Sequence, residues 1–208
     1  MTGKGSLNHN SRKFHAKNTD PNRTHWNVEY CNEDIKDVYH ELFDEALKRY
    51  NDKQTRKDRK IDDYYEKIRS GKQEKLFHEV ILQIGDKDNM GSETMEGQLA
   101  AKILDEYMKG FQERNPTLRV FAAHLHLDEA TPHLHIDFIP YVTGSKRGLD
   151  TRVSLKQALS SLGFKGGSRS ETELNQWVQS EKEKLAMVMR ENEIEWDQKG
   201  THEPHLSV

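Results

Sequence analysis

The sequence has a single cysteine, Cys31, among its 208 residues. An internal disulfide framework is therefore excluded, and this composition fits a reducing compartment. Long hydrophobic runs are also missing, because no stretch approaches the roughly 20 apolar residues that a membrane-spanning helix needs. Residues 1–6 lack the apolar segment of a secretory signal peptide. These absences predict a cytoplasmic protein.

An excess of positive charge is lacking too, since the formal net charge is −3. Binding of nucleic acid needs Lys and Arg to neutralise phosphates, so this sum by itself argues against it. The distribution points the other way, because residues 1–27 and 144–169 are each rich in Lys and Arg and hold one acidic residue apiece. Two interpretations stay open: the segments form one basic groove, or they are solvated loops.

Helical spacing of apolar residues predicts helices at 32–50, 61–71, 92–115, 155–162 and 174–189. Asn32 and Ser92 are the expected N-caps of the first and third. Strands are predicted at 77–84, 118–127 and 133–142. The last two strands are separated by a short turn and form a candidate antiparallel hairpin. The pattern predicts a single α+β domain over residues 1–208, built on an antiparallel sheet.

The most informative segment is His-Leu-Asp-Glu-Ala-Thr-Pro-His-Leu-His at residues 126–135. Side chains two residues apart on a strand point to one face, so His133 and His135 can reach the same ion. The turn-forming residues between the strands can fold His126 back to face them. Three neutral imidazoles suit Mn²⁺, Zn²⁺, Ni²⁺ or Cu²⁺ and leave coordination positions open for substrate oxygens.

Two other interpretations of this cluster stay open. The histidines could be ordinary surface or core residues of a strand. They could also hold a structural zinc in a DNA-binding module without catalytic activity, which would bind zinc tightly and unfold on chelation. A structural zinc site is normally closed by four ligands, and only three are evident here.

The longer string His-x-Asp-Glu-x-x-Pro-His-x-His resembles the metal motif of the MobV relaxases, the Mob/Pre plasmid mobilisation and recombination proteins. Two further strings support the resemblance. His9-Asn10-Ser11-Arg12 is similar to the family's His-Asn-x-Arg motif, and residues 18–27 resemble its Asp-x-Pro…Arg-x-His-x-Asn segment. The resemblance implies an antiparallel sheet of about five strands with flanking helices, as in relaxases and rolling-circle nickases.

The resemblance also implies a function, which is metal-dependent nicking of one DNA strand at the transfer origin of a plasmid or mobile element, in the bacterial cytoplasm. The implied partner is single-stranded or supercoiled DNA, and the implied cofactor is Mn²⁺, with Mg²⁺ as the alternative. His9 is implied to be the nucleophile, which stays linked to the 5′ phosphate. Arg12 would steady that phosphate with its planar fork of donors.

Three carboxylates accompany the predicted ligands. Glu129 lies in the turn and could hydrogen-bond a ligand imidazole or act as general base for the nucleophile. Asp128 is expected to brace the turn. Asp137 shares the strand face of the ligands, so that orienting an imidazole and forming a salt bridge both stay open. His124 is expected to be a partly buried structural histidine.

Contacts to DNA are expected from basic and aromatic residues of the two basic segments: Lys13, Arg23, His25, Trp26, Lys146, Arg147 and Arg152. Trp26 could stack on a base. The alternative, that Trp26 packs in the core and His25 caps a turn, stays open.

Tyrosine is the more usual nucleophile of strand-nicking enzymes, so four tyrosines stay open for that role: Tyr30, Tyr39, Tyr64 and Tyr65. A tyrosine nucleophile would favour the nearest rival function, that of a rolling-circle replication initiator. Relatives usually continue into a long helical C-terminal region. We therefore expect this chain to be the N-terminal relaxase part of a longer protein that dimerises through that region.

Overall fold

The computed structural model describes residues 2–3 and 6–195; residues 1, 4 and 5 of the N-terminal segment lie outside the described part. The strands are β1 (Thr2–Gly3), β2 (Val28–Asn32), β3 (His78–Gln83), β4 (Leu118–His126), β5 (His133–Val142) and β6 (Arg152–Val153). The helices are α1 (Leu7–Asn10), α2 (Ile35–Asp52), α3 (Tyr64–Ser70), α4 (Met95–Lys109), α5 (Phe111–Arg114), α6 (Leu155–Ser161) and α7 (Glu173–Glu191). None of the described helices is both long and apolar enough to cross a membrane.

The sheet has the strand order β1-β3-β5-β4-β2, every neighbouring pair is antiparallel, and β6 pairs with the end of β5. The predicted α+β class with an antiparallel sheet of about five strands is confirmed. The predicted hairpin of β4 and β5 is confirmed as well, and it lies inside the sheet. Side chains on both faces of these two strands are therefore covered by other parts of the protein.

Two hydrophobic cores lie on opposite faces of the sheet. One core packs α4, α5, α6 and α7 against alternate residues of β5, which are Leu134, Ile136 and Phe138. The other packs α2 and α3 against residues that include Phe121 and Ile139. A β-bulge between Val120 and Ala122 shifts the alternation of β4 by one residue. Beyond the bulge, the histidines of β4 therefore share the face of the second core.

Two predicted caps were wrong. Asp34, not Asn32, caps α2 by accepting a hydrogen bond from the amide of Lys36, because Asn32 is still paired in β2. Thr94, not Ser92, caps α4 by accepting from the amide of Gly97. The helix predicted over 92–115 is in fact two helices, α4 and α5, separated at Gly110.

Candidate metal centre and nucleophile

The antiparallel register of β4 and β5 brings three histidines together. His126 is paired with His133, and His135 follows two residues later on the same face. The ring centroids are 5.2 Å apart for His126 and His133, 4.8 Å for His126 and His135, and 5.0 Å for His133 and His135. One nitrogen from each ring lies within 4.8 Å of the others, and all three residues are buried. This is the arrangement that the sequence predicts for a metal site.

Each of the three imidazoles has one nitrogen engaged outside the cluster. His126 Nε2 lies 2.9 Å from the carbonyl oxygen of Asn10, His133 Nδ1 lies 2.8 Å from that of Thr131, and His135 Nδ1 lies 2.8 Å from Glu79 Oε1. A neutral imidazole that donates from one nitrogen keeps a lone pair on the other. The remaining nitrogens therefore offer lone pairs to the centre of the cluster.

Two observations indicate that this donor set fits a divalent cation. Nε2 of His135 is buried and has no hydrogen-bond partner in the described part of the chain. Burial, reinforced by the neighbouring imidazoles, lowers the pKa of His126 to about 2 and that of His133 to about 4. Both rings are therefore neutral at physiological pH, which is the protonation state that metal coordination requires. Imidazole nitrogens are ligands for first-row divalent cations, and open positions at such a site can be filled by oxygen ligands.

The helix α1 brings a fourth histidine, His9, to this centre. His9 is only 9% exposed, and its ring centroid lies 6.0 Å from that of His126 and 6.3 Å from that of His135. Its Nε2 atom lies 3.3 Å from Glu129 Oε1, whereas its Nδ1 atom is buried without a hydrogen-bond partner among the described residues. The structure thus places the predicted nucleophile, the predicted base and the predicted ligands in one site.

Arg12 connects the two histidine motifs. Its Nε donates to Asp128 Oδ2 at 2.9 Å, and its Nη2 donates to Asp128 Oδ1 at 2.5 Å and to Glu129 Oε1 at 2.8 Å. Its Nη1 donates to the carbonyl oxygen of His9 at 3.0 Å. Arg12 has a positive φ angle of 52°, which is rare for a residue with a side chain. The guanidinium that was predicted to steady a phosphate is thus engaged mainly by carboxylates.

The two carboxylates of the turn are held in their charged forms. Burial raises the pKa of Asp128, but the hydrogen bonds and the charge of the Arg12 guanidinium outweigh it and hold the pKa at about 2. Burial also raises the pKa of Glu129, and the hydrogen bond with His9 together with the charge of Arg12 brings it to about 2. Glu129 is therefore an anion beside His9 at neutral pH. Asp128 accepts hydrogen bonds from Arg12 and Thr24, and its bracing of the turn stays a prediction.

Asn10 links α1 to the sheet, and no pattern in the sequence predicts this role. Its Nδ2 donates to Glu79 Oε1 at 2.9 Å and to Asp137 Oδ2 at 3.0 Å, while its carbonyl oxygen accepts from His126. Burial, followed by the nearby Glu79 carboxylate, raises the pKa of Asp137 to about 7. Asn10 thus bridges two buried carboxyl groups and fixes the residue next to His9. One feature of the sequence could have indicated a role for Glu79: it is an acidic residue inside an apolar strand.

Replacing Asn10 with alanine is expected to slow nicking by about 10- to 100-fold, because groups that orient a metal ligand typically contribute this much. Loss of the buried amide is also expected to lower the free energy of unfolding by about 1–3 kcal/mol. Nicking rates measured well below the melting temperature separate the two effects. Asn8, which lies exposed on the same helix, is the matched control, and Asn8→Ala should leave both quantities unchanged. Equal rates for the two variants would contradict the positioning role of Asn10.

Residues 18–27 lie over the turn that carries Asp128 and Glu129. The amide of Asp20 donates to the carbonyl of Asp128 at 2.7 Å, and Asn18 Nδ2 donates to Glu129 Oε2 at 2.6 Å. Arg23 Nη1 donates to the carbonyls of Leu127 and Glu129, both at 3.3 Å. Arg23 therefore braces the turn.

The other predicted DNA contacts of this segment are exposed. His25 and Trp26 pack against each other with ring centroids 5.9 Å apart, and Trp26 is 39% exposed. Lys13 is exposed as well. Trp26 thus does not pack in the core, and both rings are accessible from solvent. Their contact with DNA stays a prediction.

The second basic segment lies away from the metal centre. Because β5 runs from the ligands to Val142 and a strand rises about 3.4 Å per residue, the loop after β5 begins roughly 24 Å from His135. Lys146 and Arg147 are exposed there, and Arg152 donates to Ser145 Oγ and Gln157 Oε1. The two basic segments therefore do not meet at the metal centre. Contacts between this loop and DNA stay a prediction.

The tyrosines considered as nucleophiles are engaged elsewhere. The hydroxyl of Tyr30 donates to Asp105, that of Tyr39 donates to the carbonyl of Leu76, and that of Tyr64 accepts from the amide of Val153. Tyr65 packs against the ring of Tyr39. These partners lie outside the histidine cluster, which favours His9. His124 is buried, as expected, with Nδ1 3.8 Å from Glu29.

Crystal structures of the MobM relaxase domain (MOBV; Mob_Pre), Mn-bound and in complex with plasmid pMV158 oriT DNA, have the same fold. The complex with 22 nucleotides at pH 5.5 is 23% identical, with a TM-score of 0.52 over 97% of this chain and 86% of that chain. The complex with 23 nucleotides at pH 6.5 has a TM-score of 0.50 at the same identity, over 97% of this chain and 85% of that chain. Individual curated protein sequences give no match.

The fold is thus that of the MobM relaxase domain. A family model described as Mob_Pre, plasmid recombination enzyme, matches residues 5–187. Because this match spans most of the sequence, the chain belongs to the Mob_Pre family. The resemblance inferred from the histidine motifs is confirmed.

Proposed function

We propose that this chain is a metal-dependent relaxase that nicks one DNA strand at a transfer origin and remains linked to the 5′ phosphate through His9. One observation carries the proposal: the buried His9 ring contacts both the three-histidine cluster and the ionised Glu129. A nucleophile, an acceptor for its proton and a set of metal ligands are therefore within reach of one phosphate. The nick would start conjugative mobilisation of a plasmid or mobile element.

His9 and Glu129 have different roles in the proposed reaction. The lone pair of the His9 imidazole attacks phosphorus, so that a nitrogen–phosphorus bond forms and the bond from phosphorus to the 3′ oxygen breaks. That oxygen takes up a proton and becomes a free 3′-hydroxyl. The Glu129 carboxylate stabilises the positive charge that develops on the ring and accepts its proton. Attack by the 3′-hydroxyl on the linked phosphate reverses the steps and rejoins the strand.

His126, His133 and His135 would hold the divalent cation, with Mn²⁺ as the expected ion and Mg²⁺ as the alternative. When bound, the cation supplies Lewis-acid polarisation of the scissile phosphate and orients it for in-line attack. Glu79 and the carbonyls of Thr131 and Asn10 fix the three rings from behind. The occurrence of Mn in the MobM complexes supports Mn²⁺, and the neutral rings of His126 and His133 support a divalent cation at this place.

The proposed substrate is supercoiled or single-stranded DNA, contacted by Lys13, His25 and Trp26 near the site and by Lys146, Arg147 and Arg152 further along the sheet. Arg23 is proposed to act on DNA only through the turn that it braces. A cytoplasmic location and one domain over residues 1–208 are part of the same proposal. So is dimerisation of a longer protein through a region beyond this chain.

Incubation with supercoiled origin plasmid in Mn²⁺, Mg²⁺ or EDTA tests the proposal, followed by mapping of the nick and of the linked residue. We expect a unique nick in one strand and an adduct on the peptide that contains His9. The adduct should be labile in acid, because a phosphoramidate hydrolyses there whereas a phosphotyrosine does not. An acid-stable adduct on a tyrosine would instead support a rolling-circle initiator, and absence of any nick in the presence of either metal ion would contradict the proposal.

Removal of the metal is expected to abolish nicking but to lower the melting temperature by only about 1–4 °C. The physical reason is that both hydrophobic cores consist of apolar side chains and do not include the three histidines, so the effect of the ion on unfolding is limited to its free energy of binding. Differential scanning fluorimetry with and without EDTA, at the concentrations used for nicking, measures this. Unfolding of the protein on chelation would support the structural-zinc interpretation instead.

A further inference from the structure

Residues 13–17, Lys-Phe-His-Ala-Lys, form an exposed rim beside the proposed nucleophile. The amide of Lys13 donates to the carbonyl of Asn8 at 2.9 Å, and this contact folds the chain back over α1. The ring of Phe14 consequently lies against His9, with centroids 5.9 Å apart and the rings tilted by 49°. Phe14 is nevertheless 48% exposed. A large apolar ring therefore faces solvent at the edge of the site.

Exposed large hydrophobic side chains are few in the described part of the chain: Phe14, Trp26, Val28, Met95 and Met187. Both aromatic members of this set, Phe14 and Trp26, belong to the N-terminal segment that covers the metal centre. A ring left in water on a chain that has ample core positions costs free energy, which contact with a ligand would recover. Its position thus points to a ligand with an apolar, planar face.

Two lysines near Phe14 supply positive charge that can pair with phosphates. Lys13 and Lys17 are exposed, and neither forms an ion pair in the part of the chain that the structure describes. Cations interleaved with aromatic rings are the surface that binds a single nucleic-acid strand, because lysines contact phosphates while the rings stack on bases. Because the Phe14 ring lies against His9, a base stacked on Phe14 would have an adjoining phosphate close to His9.

We propose that Phe14 is a stacking platform for a base next to the scissile phosphate, with Lys13 and Lys17 holding the adjoining phosphates. This inference rests on the proposed function for the position of the nick. The platform binds the π-face of the base and so tolerates different bases. The platform adds affinity and places the neighbouring phosphate beside His9. Recognition of specific bases is left to other contacts.

The test measures fluorescence anisotropy with labelled dT12 and with an abasic 12-mer that has the same number of phosphates. Wild type should bind dT12 more tightly, and Phe14→Ala should weaken that binding by roughly 10-fold while leaving the abasic strand unaffected. Phe14→Trp should retain the preference, and Phe14→Leu should lose it because leucine has no π-face. Met187→Ala, which removes an exposed apolar side chain on α7, is the matched control and should change neither affinity.

Equal binding of dT12 by wild type and Phe14→Ala would overturn the platform, as would full affinity in Phe14→Leu. Once the nick is mapped, an abasic site at one of the two flanking nucleotides should slow wild type but not slow Phe14→Ala any further. Failure of the proposed function has a different signature, because wild type would then prefer dT12 over the abasic strand and yet leave supercoiled plasmid intact.

Discussion

Replacement of His9 with alanine is expected to abolish the covalent DNA adduct and to slow nicking by about 10⁴-fold or more, the scale seen when a nucleophile is removed. The physical reason is that the methyl group of alanine offers no lone pair to phosphorus, and the tyrosines considered as nucleophiles are engaged outside the cluster. Denaturing gel electrophoresis of protein linked to labelled DNA measures the adduct, and relaxation of supercoiled plasmid measures the nick.

The matched control is His40→Ala, because His40 is an exposed histidine on α2 whose contact is with Asp44 of the same helix. This variant should form the adduct at the rate of wild type. His9→Ala should still bind dT12. This result would show that the variant has lost the chemical step and has kept the binding of DNA. Relaxation by His9→Ala at the rate of wild type would show that another residue is the nucleophile.

Replacement of Glu181 with alanine is expected to lower the free energy of unfolding by about 3 kcal/mol, the lower end of the range for removing one partner from a buried ion pair. Glu181 is 6% exposed, accepts hydrogen bonds from Arg114 Nη2 at 2.9 Å and Asn115 Nδ2 at 3.0 Å, and is also bonded by the hydroxyl of Tyr107. The Arg114 guanidinium in turn lies 4.4 Å from the centroid of the Tyr107 ring. Loss of Glu181 leaves these donors without their common acceptor.

Urea denaturation monitored by the tryptophan signal checks this prediction, since Trp177 Nε1 donates to Asn115 in the same network. Glu181→Gln keeps the shape and an acceptor oxygen, so it should cost less than Glu181→Ala. Glu183, exposed on the same helix, provides the control, and Glu183→Ala should stay within about 0.5 kcal/mol of wild type. A loss below 1 kcal/mol for Glu181→Ala would mean that the network contributes little to holding α7.

The hairpin and its histidines could be predicted because both depend on local pattern. The two-residue spacing of His133 and His135 fixes their common face in a strand, and the short turn fixes the pairing with His126. Cap positions were predicted less well. Ser92 has a suitable side chain for a cap, but its hydroxyl donates to the carbonyl of Glu129 at 2.7 Å. This contact between residues 37 positions apart competes with the local helix cap, and no pattern in the sequence predicts it.

The contacts around His9 were also only partly predictable from the sequence. The motif predicted the histidine and the arginine, but it assigned the guanidinium to phosphate, whereas Arg12 donates mainly to Asp128 and Glu129. Asn10 was part of the motif and had no assigned role, because its partners Glu79 and Asp137 come from two different strands. Partners that are 69 and 127 residues apart in sequence meet only when the sheet has formed.

The sequence by itself determined the cluster of three histidines, the class of fold and the family, since all three depend on residue type at short spacing. The tertiary structure decided how the histidine cluster of β4 and β5 meets the segment that carries His9 and Arg12. It placed α1 beside the core that α2 and α3 form on one face of the sheet, and it separated the second basic segment from the metal centre by the length of β5. Short-range geometry follows from the backbone of a strand, whereas long-range contacts depend on which faces are buried against each other.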